Sequence, residues 1–243
     1  QSPRLTDAIE TIEKIFIESG AGDCETVIGM FQPKFDAAPE DLELLKKITY
    51  TLSELDCEDS DLYAAAAENQ FKLEESANAA ANLAKLFYVR KEYEKSSEYY
   101  LNAIALETDT DTKAKYYYEL AAITLGFLNN PTESRNYARK AIELRSGWGD
   151  PYILIGNAYA GSSSSCGESS FEKAAVYLVA VDMFAKAKSV DPSVAETANS
   201  QINKYAKYFP NNEDAFFLGF KDGDAYTVKC WINETTTVRT VKQ

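Results

Sequence analysis

Residues 77–106 read ANAAANLAKLFYVRKEYEKSSEYYLNAIAL, and the spacing of side chains within this stretch decides the fold. Leu83 and Ala84 are followed by Phe87, Tyr93, Ser96, Tyr100, Ala103 and Leu106. Small residues fall where two helices must approach closely, and large ones fall between them. The pattern returns in Leu120-Ala121, Thr124, Ser134, Ala138, Ala141 and Leu144, with one residue added in the turn. It returns again in Tyr152, Ile155-Gly156 and Tyr159 and then, beyond an insertion of about a dozen residues, in Ala180, Phe184, Ala187 and Val190-Asp191-Pro192. Ala103, Ala141 and Ala187 hold the same place in each unit. A lone helical hairpin cannot bury its apolar face, so each must stack on the next, and Ala or Gly at the crossings lets the backbones approach.

Outward from the repeats the helical period continues. Leu42, Leu45, Ile48, Leu52 and Leu55 recur at three- and four-residue intervals, as do Leu5, Ile9, Ile12 and Phe16. Breakers separate the runs: Gly20-Ala-Gly22, Pro33, Pro39, the polar stretch Asp56–Asp61, Thr108–Thr112, Asn129-Asn-Pro131, Gly147–Pro151 and Pro192. Residues 1–76 read as two divergent helix pairs, about 5–19 with 24–32 and about 40–55 with 60–75. Residues 77–192 read as three repeats, the third with an inserted Ser/Gly loop at 161–170, and residues 193–243 as a capping helix and tail. In the tail, Ala225–Ile232 and Thr235–Val241 are rich in Tyr, Val, Ile and Thr about Asn233-Glu234, which predicts a β-hairpin. The expected fold is all-α, an α-solenoid of stacked helical hairpins with a small C-terminal β-hairpin cap over the last helix.

The repeat pattern resembles the roughly 34-residue tetratricopeptide repeat (TPR), W-x2-L-G-x2-Y, then A-x3-F-x2-A, then P. The tail residues Tyr208-Phe-Pro, Glu213-Asp-Ala-Phe-Phe, Gly223, Tyr226-Thr-Val, Cys230-Trp-Ile and Glu234-Thr-Thr-Thr-Val-Arg239 are similar to those of TPR proteins exported by Bacteroidetes-type bacteria. Pro33-Lys-Phe35, Ser165-Cys-Gly167 and Val179-Ala-Val-Asp182-Met-Phe184 share that resemblance. It implies an exported protein, periplasmic or in the outer cell envelope, with no catalytic residues. In TPR proteins ligands usually meet exposed positions on the first helix of each repeat. Carried over, these are Asn78, Ala81, Lys85 and Tyr88; Lys115, Tyr118, Ala122 and Leu125; and Asp150, Ile153 and Asn157. Lys85, Tyr88, Lys115, Tyr118 and Asn157 are the expected contacts for a peptide or protein surface in a concave groove. Ala81 and Glu119 stand where the carboxylate clamp of some family members needs Lys, Arg or Asn, so that specificity is not implied.

Composition narrows the chemistry. The 243-residue chain carries 25 Lys and Arg against 38 Asp and Glu, a net charge of −13, and has no His. That removes Ser-His-Asp and Cys-His nucleophiles and every imidazole zinc site. The acidic balance argues against broad nucleic-acid binding, which needs a basic footprint. No stretch approaches the roughly 18 apolar residues of a membrane span. The chain starts at Gln1, and a signal segment is expected upstream of it, removed on export. Cys24, Cys57, Cys166 and Cys230 show no CxxC spacing, and four cysteines allow three connectivities. Cys24 opens one predicted helix and Cys57 ends another, while Cys166 lies in the Ser/Gly loop and Cys230 in a C-terminal strand. Bridges Cys24–Cys57 and Cys166–Cys230 are therefore expected, and with them an oxidising compartment; four buried thiols are the alternative.

A His-free enzyme would lean on carboxylates. Asp109-Thr-Asp111 and Asp56–Asp61 alternate acids but lack the Gly and Glu of a calcium loop, and Asp222-Gly-Asp224 is too short for one. They read as solvated turns and helix N-caps, and no metal or cofactor is expected. The 16 Tyr, among them Tyr99-Tyr100 and Tyr116-Tyr-Tyr118, make a carbohydrate-binding accessory or surface adhesin the alternative. A carboxylate-based hydrolase ranks below it and needs two acids facing each other in a closed pocket. The favoured expectation is a non-catalytic interaction or scaffolding module of the cell envelope, with an unidentified protein or peptide as partner.

Overall fold

The computed structural model describes residues 23–241, and the predicted helix at 5–19 lies outside them. The chain divides into two compact units, up to Leu106 and from Glu107 onward. Each is a stack of antiparallel helical hairpins, and the architecture is all-α and TPR-like, with one small sheet near the C-terminus.

The first unit holds α1 (Cys24–Ala37), α2 (Leu42–Glu54), α3 (Asp61–Leu73), α4 (Ala77–Val89) and α5 (Tyr93–Leu106). Local chemistry starts the first four: the side chains of Asp23, Asp41, Ser60 and Ser76 each accept a first-turn amide that has no partner inside the helix. Helices adjacent in sequence pack on one another, and α1 lies on both α2 and α3. Val27, Phe31, Leu45, Ile48, Leu52, Leu62, Tyr63 and Leu86 form the core. A buried polar network fixes how α2, α3 and α4 stack. Gln70 Oε1 accepts from Thr49 Oγ1 at 3.0 Å and from Asn82 Nδ2 at 3.2 Å, and Gln70 Nε2 donates to Asn78 Oδ1 at 3.3 Å. A disulfide joins Cys24 to Cys57, with Cα atoms 5.7 Å apart.

The second unit holds α6 (Thr110–Gly126), α7 (Pro131–Leu144), α8 (Asp150–Gly161), α9 (Ser170–Val190), α10 (Ala195–Tyr205) and the short α11 (Asn212–Phe217). Strands β1 (Ala225–Val228) and β2 (Glu234–Thr237) pair antiparallel, from Ala225 opposite Thr237 to Val228 opposite Glu234. The small residues of the repeat act as the spacing requires. Ser96 Oγ donates to the Ala84 carbonyl at 2.7 Å, and its counterpart Ser134 Oγ donates to the Ala121 carbonyl at 2.8 Å. A hydroxyl buried at a helix crossing thus finds its acceptor in the facing backbone. In the third repeat Ala180 takes that place, and Gly156 lies against the Phe184 ring.

Helix α10, which follows the last repeat, covers α9, with Tyr205 stacked 5.8 Å from Phe184. The tail packs on α9 as well: Arg239, two residues beyond β2, donates through Nη2 to Asp182 Oδ1 at 2.8 Å and to the Leu178 carbonyl at 2.9 Å, and the Thr236 hydroxyl of β2 donates to Asp182. It reaches further than a cap on the last helix. On α7, Arg135 Nη1 donates to the Trp231 and Ile232 carbonyls at 3.0 and 2.7 Å, and Arg139 pairs with Glu234. On α8, the Tyr159 hydroxyl donates to Glu234 Oε1 at 3.2 Å.

Three local expectations are corrected. Pro33 does not end its helix. It sits inside α1, exposed, opposite the equally exposed Gly29 four residues earlier, so the lost hydrogen bond faces solvent. The hairpin does not turn at two residues, and Cys230 is not in a strand. Lys229–Asn233 form a longer connection in which Cys230 and Asn233 both take φ +48°. The connection turns there because Cys230 is bridged to Cys166 and Ile232 is buried. Finally, the extra residues of the third repeat do not all lie between its helices: the Ser/Gly loop occupies 162–169, within the expected 161–170, and the others lengthen α9. Ser169 and Glu172 close a capping box that starts α9 about three turns before the repeat pattern resumes at Ala180.

Candidate functional site

On α4 the spacing of Asn78, Ala81, Lys85 and Tyr88 places all four along one side of the helix, but their environments differ. Asn78 is exposed, although its Oδ1 accepts from Gln70 and Asn82, and Ala81 is buried. Lys85 is half-buried, and its ammonium donates to Ser53 Oγ on α2, whose hydroxyl donates to Glu58 Oε1 at 2.8 Å. Tyr88 is 41% exposed, with its ring 6.0 Å from that of Tyr93. Stacking of the hairpins has thus engaged part of what the sequence assigned to ligand contact.

In the second unit α6 carries Lys115 and Tyr118, and α8 carries Asp150, Ile153 and Asn157. Lys115 is exposed, Asn157 is half-buried and Ile153 is buried. Tyr118 meets Trp148 from the α7–α8 turn, with ring centroids 4.8 Å apart. Trp148 in turn donates its indole N–H to Asp150 Oδ2 at 2.7 Å and has the Arg145 guanidinium 5.0 Å from its ring centroid. Partial burial, followed by the charges of Asp150 and Glu119, raises the Tyr118 phenol above its ordinary range, so it stays protonated and able to donate at neutral pH. The result is a half-exposed aromatic pair with an acid and a guanidinium beside it.

The turn that presents Trp148 is held from a distance. Gly149 caps α8 without a side chain of its own, and its amide donates to Asp191 Oδ2 at 3.0 Å. The Ser193 hydroxyl and the Gly149 amide hold the Asp191 carboxyl below its ordinary range. A Cβ at residue 149 would meet Val194 and Asp191, so the chain before α8 fits against the end of α9. Trp148 and Arg145 escaped the reading of the sequence because Gly147–Pro151 signals a break between helices. The signal was present in a lone Trp flanked by glycines beside the Asp150-Pro151 helix start.

The remaining candidates resolve into structural roles. Tyr100 is buried; Tyr116 is half-buried, with its phenol pushed up to about 12 by burial and then by Glu107; Tyr117 packs against Tyr137. Asp109 caps α6 through the Thr112 amide, and Asp222 and Asp224 accept the amides of Thr240 and Lys221. Among the described residues no group of three or more Cys, Asp or Glu is placed to hold a metal ion, and no helix is long and apolar enough to cross a membrane.

The class that this geometry defines is a TPR-like array of helical hairpins. No protein-family model matches the sequence, and no curated relative matches it. Among solved structures the chain is similar to two crystal structures of MamA, each at 22% identity. One overlays with a TM-score of 0.55 over 76% of this chain and 91% of that one, the other with 0.56 over 75% and 93%. A looser likeness, TM-score 0.47 at 15% identity over 78% of this chain and 97% of the other, is to YrrB, described as a TPR protein with an unusual peptide-binding site. At these identities the likeness concerns the fold alone.

Proposed function

We propose that the chain is a non-catalytic interaction module whose first-helix faces dock a peptide or partner protein, and that it works in an oxidising, exported compartment of the cell envelope. The observation that carries the binding reading is the Tyr118–Trp148 pair beside Asp150 and Arg145, two half-exposed rings beside a turn that the Gly149–Asp191 hydrogen bond anchors. Aromatic anchors of this kind, with polar groups at their edge, give interfaces most of their binding energy. Lys115 and Asn157 add polar contacts from the same two helices, and Tyr88 supplies a separate aromatic contact on the first unit. The two disulfides support the compartment, because such bridges persist where thiols are not kept reduced.

The test is capture from cell-envelope extract, identification of the bound species by mass spectrometry, and titration of that species by calorimetry. A Lys115→Ala/Tyr118→Ala/Asn157→Ala variant is expected to lose at least tenfold in affinity. An unchanged affinity would remove the first-helix face as the site. The same rings suit a sugar platform, so a glycan array probed with wild type and Tyr118→Ala decides between protein and carbohydrate.

A further inference from the structure

An open cleft of about 540 Å3 lies in the first unit between α3 and α5, the second helices of two successive pairs. Its floor is aromatic: Tyr99 is stacked on Phe87 with centroids 5.3 Å apart and meets Phe71 edge to face at 5.5 Å. All three rings remain partly accessible. Glu75 and Glu98 stand at the rim, exposed, and neither is ion-paired among the described residues. Lys95 completes the rim, with its ammonium 5.0 Å from the centroid of the Phe87 ring and its charge matched by Glu92.

We propose that this cleft is a second binding site, specific for an arginine or lysine side chain of an extended basic peptide segment. Two observations converge with a general property of guanidinium groups. The faces of aromatic rings carry negative potential and attract cations, and this one already holds a cation, the chain's own Lys95. With Lys95 matched by Glu92, the carboxylates of Glu75 and Glu98 are left without a counter-charge, and an incoming guanidinium supplies it. A planar guanidinium also stacks on a ring while its N–H groups reach a carboxylate, which suits arginine above lysine. Lys95 then acts as an internal competitor that occupies the ring until a stronger cation displaces it. The site is separate from the first-helix faces and does not depend on them.

The competitor gives the test its sign. A fluorescein-labelled Gly-Ser-Arg-Gly-Arg-Ser peptide and its citrulline analogue are titrated by fluorescence anisotropy at low salt. Wild type is expected to bind the arginine peptide at least tenfold more tightly than the neutral analogue. Glu75→Gln/Glu98→Gln, both at exposed positions, is expected to weaken binding about tenfold, and Lys95→Met to tighten it several-fold. The Lys115→Ala/Tyr118→Ala/Asn157→Ala variant should bind this peptide like wild type, which separates failure here from failure of the first-helix reading. Equal affinity for the citrulline analogue, no binding at millimolar peptide, weaker binding by Lys95→Met, or a neutral oligosaccharide competing for the cleft would each overturn the proposal.

Discussion

Gly156 has the Phe184 ring where a Cβ would stand, with the nearest ring carbon at 2.5 Å. Gly156→Ala should therefore cost about 1–3 kcal/mol through forced repacking, read as a lower urea midpoint with unchanged slope. Exposure predicts the opposite at α11, where Phe216 and Phe217 are 77% and 82% exposed. Their alanine variants should change stability by no more than about 0.5 kcal/mol, whereas Phe220→Ala, three residues after Phe217, removes the stack on Phe171 and the edge contact with Tyr226 and should cost about 2–3 kcal/mol. Asp191 gives a pH signature. Its folded pKa lies below the unfolded one, so its contribution is fully present above the ordinary carboxylate range and is lost as pH falls through the depressed folded value. Urea titrations from neutral pH to about pH 3 should show a shallower acid-side decline in Asp191→Asn. Gly156 was legible in the sequence as a crossing glycine. The tie from Asp191 to Gly149 was not, because it joins residues 42 positions apart.

Among elements, the tail is held by more than its disulfide. The Cys166–Cys230 bridge closes a separation of 64 residues, worth about 4 kcal/mol by the loop-closure argument. Cys166→Ser/Cys230→Ser should lower stability by up to that amount. Yet amide exchange should still show β1 and β2 protected, because Arg135, Arg239, Asp182 and Tyr159 hold the sheet independently. Loss of that protection would mean that the bridge alone docks the sheet. Helices were legible here because their period of 3.6 survives in any packing, and so was the placement of both cysteine pairs. The turn at Lys229–Asn233 was not, since strand-forming residues such as Trp231 and Ile232 are drawn into it by contacts with α7 and α8.

For the whole molecule, the net charge of −13 sets a long-range field that favours basic partners and fades as salt shortens its reach. Association of the arginine peptide should slow several-fold between about 0.05 and 0.5 M salt, measured by stopped-flow anisotropy, and a flat profile would leave the field without a role. Repeat period and hairpin stacking were determined by the sequence itself, because they depend on local spacing and on small residues that must lie at helix crossings; the cysteine pairs were expected from the elements they flank, but the fold brings their sulfurs together across 33 and 64 residues. Which of the first-helix side chains remain available was decided by the tertiary structure. Asn78 and Lys85 carry the same surface signature as Lys115 and Tyr118, yet the first two are engaged by Gln70 and Ser53, whose positions depend on how the hairpins stack. The cleft over Phe71, Phe87 and Tyr99 was likewise hidden, since rings at helical spacing read as core until packing leaves one face open to solvent.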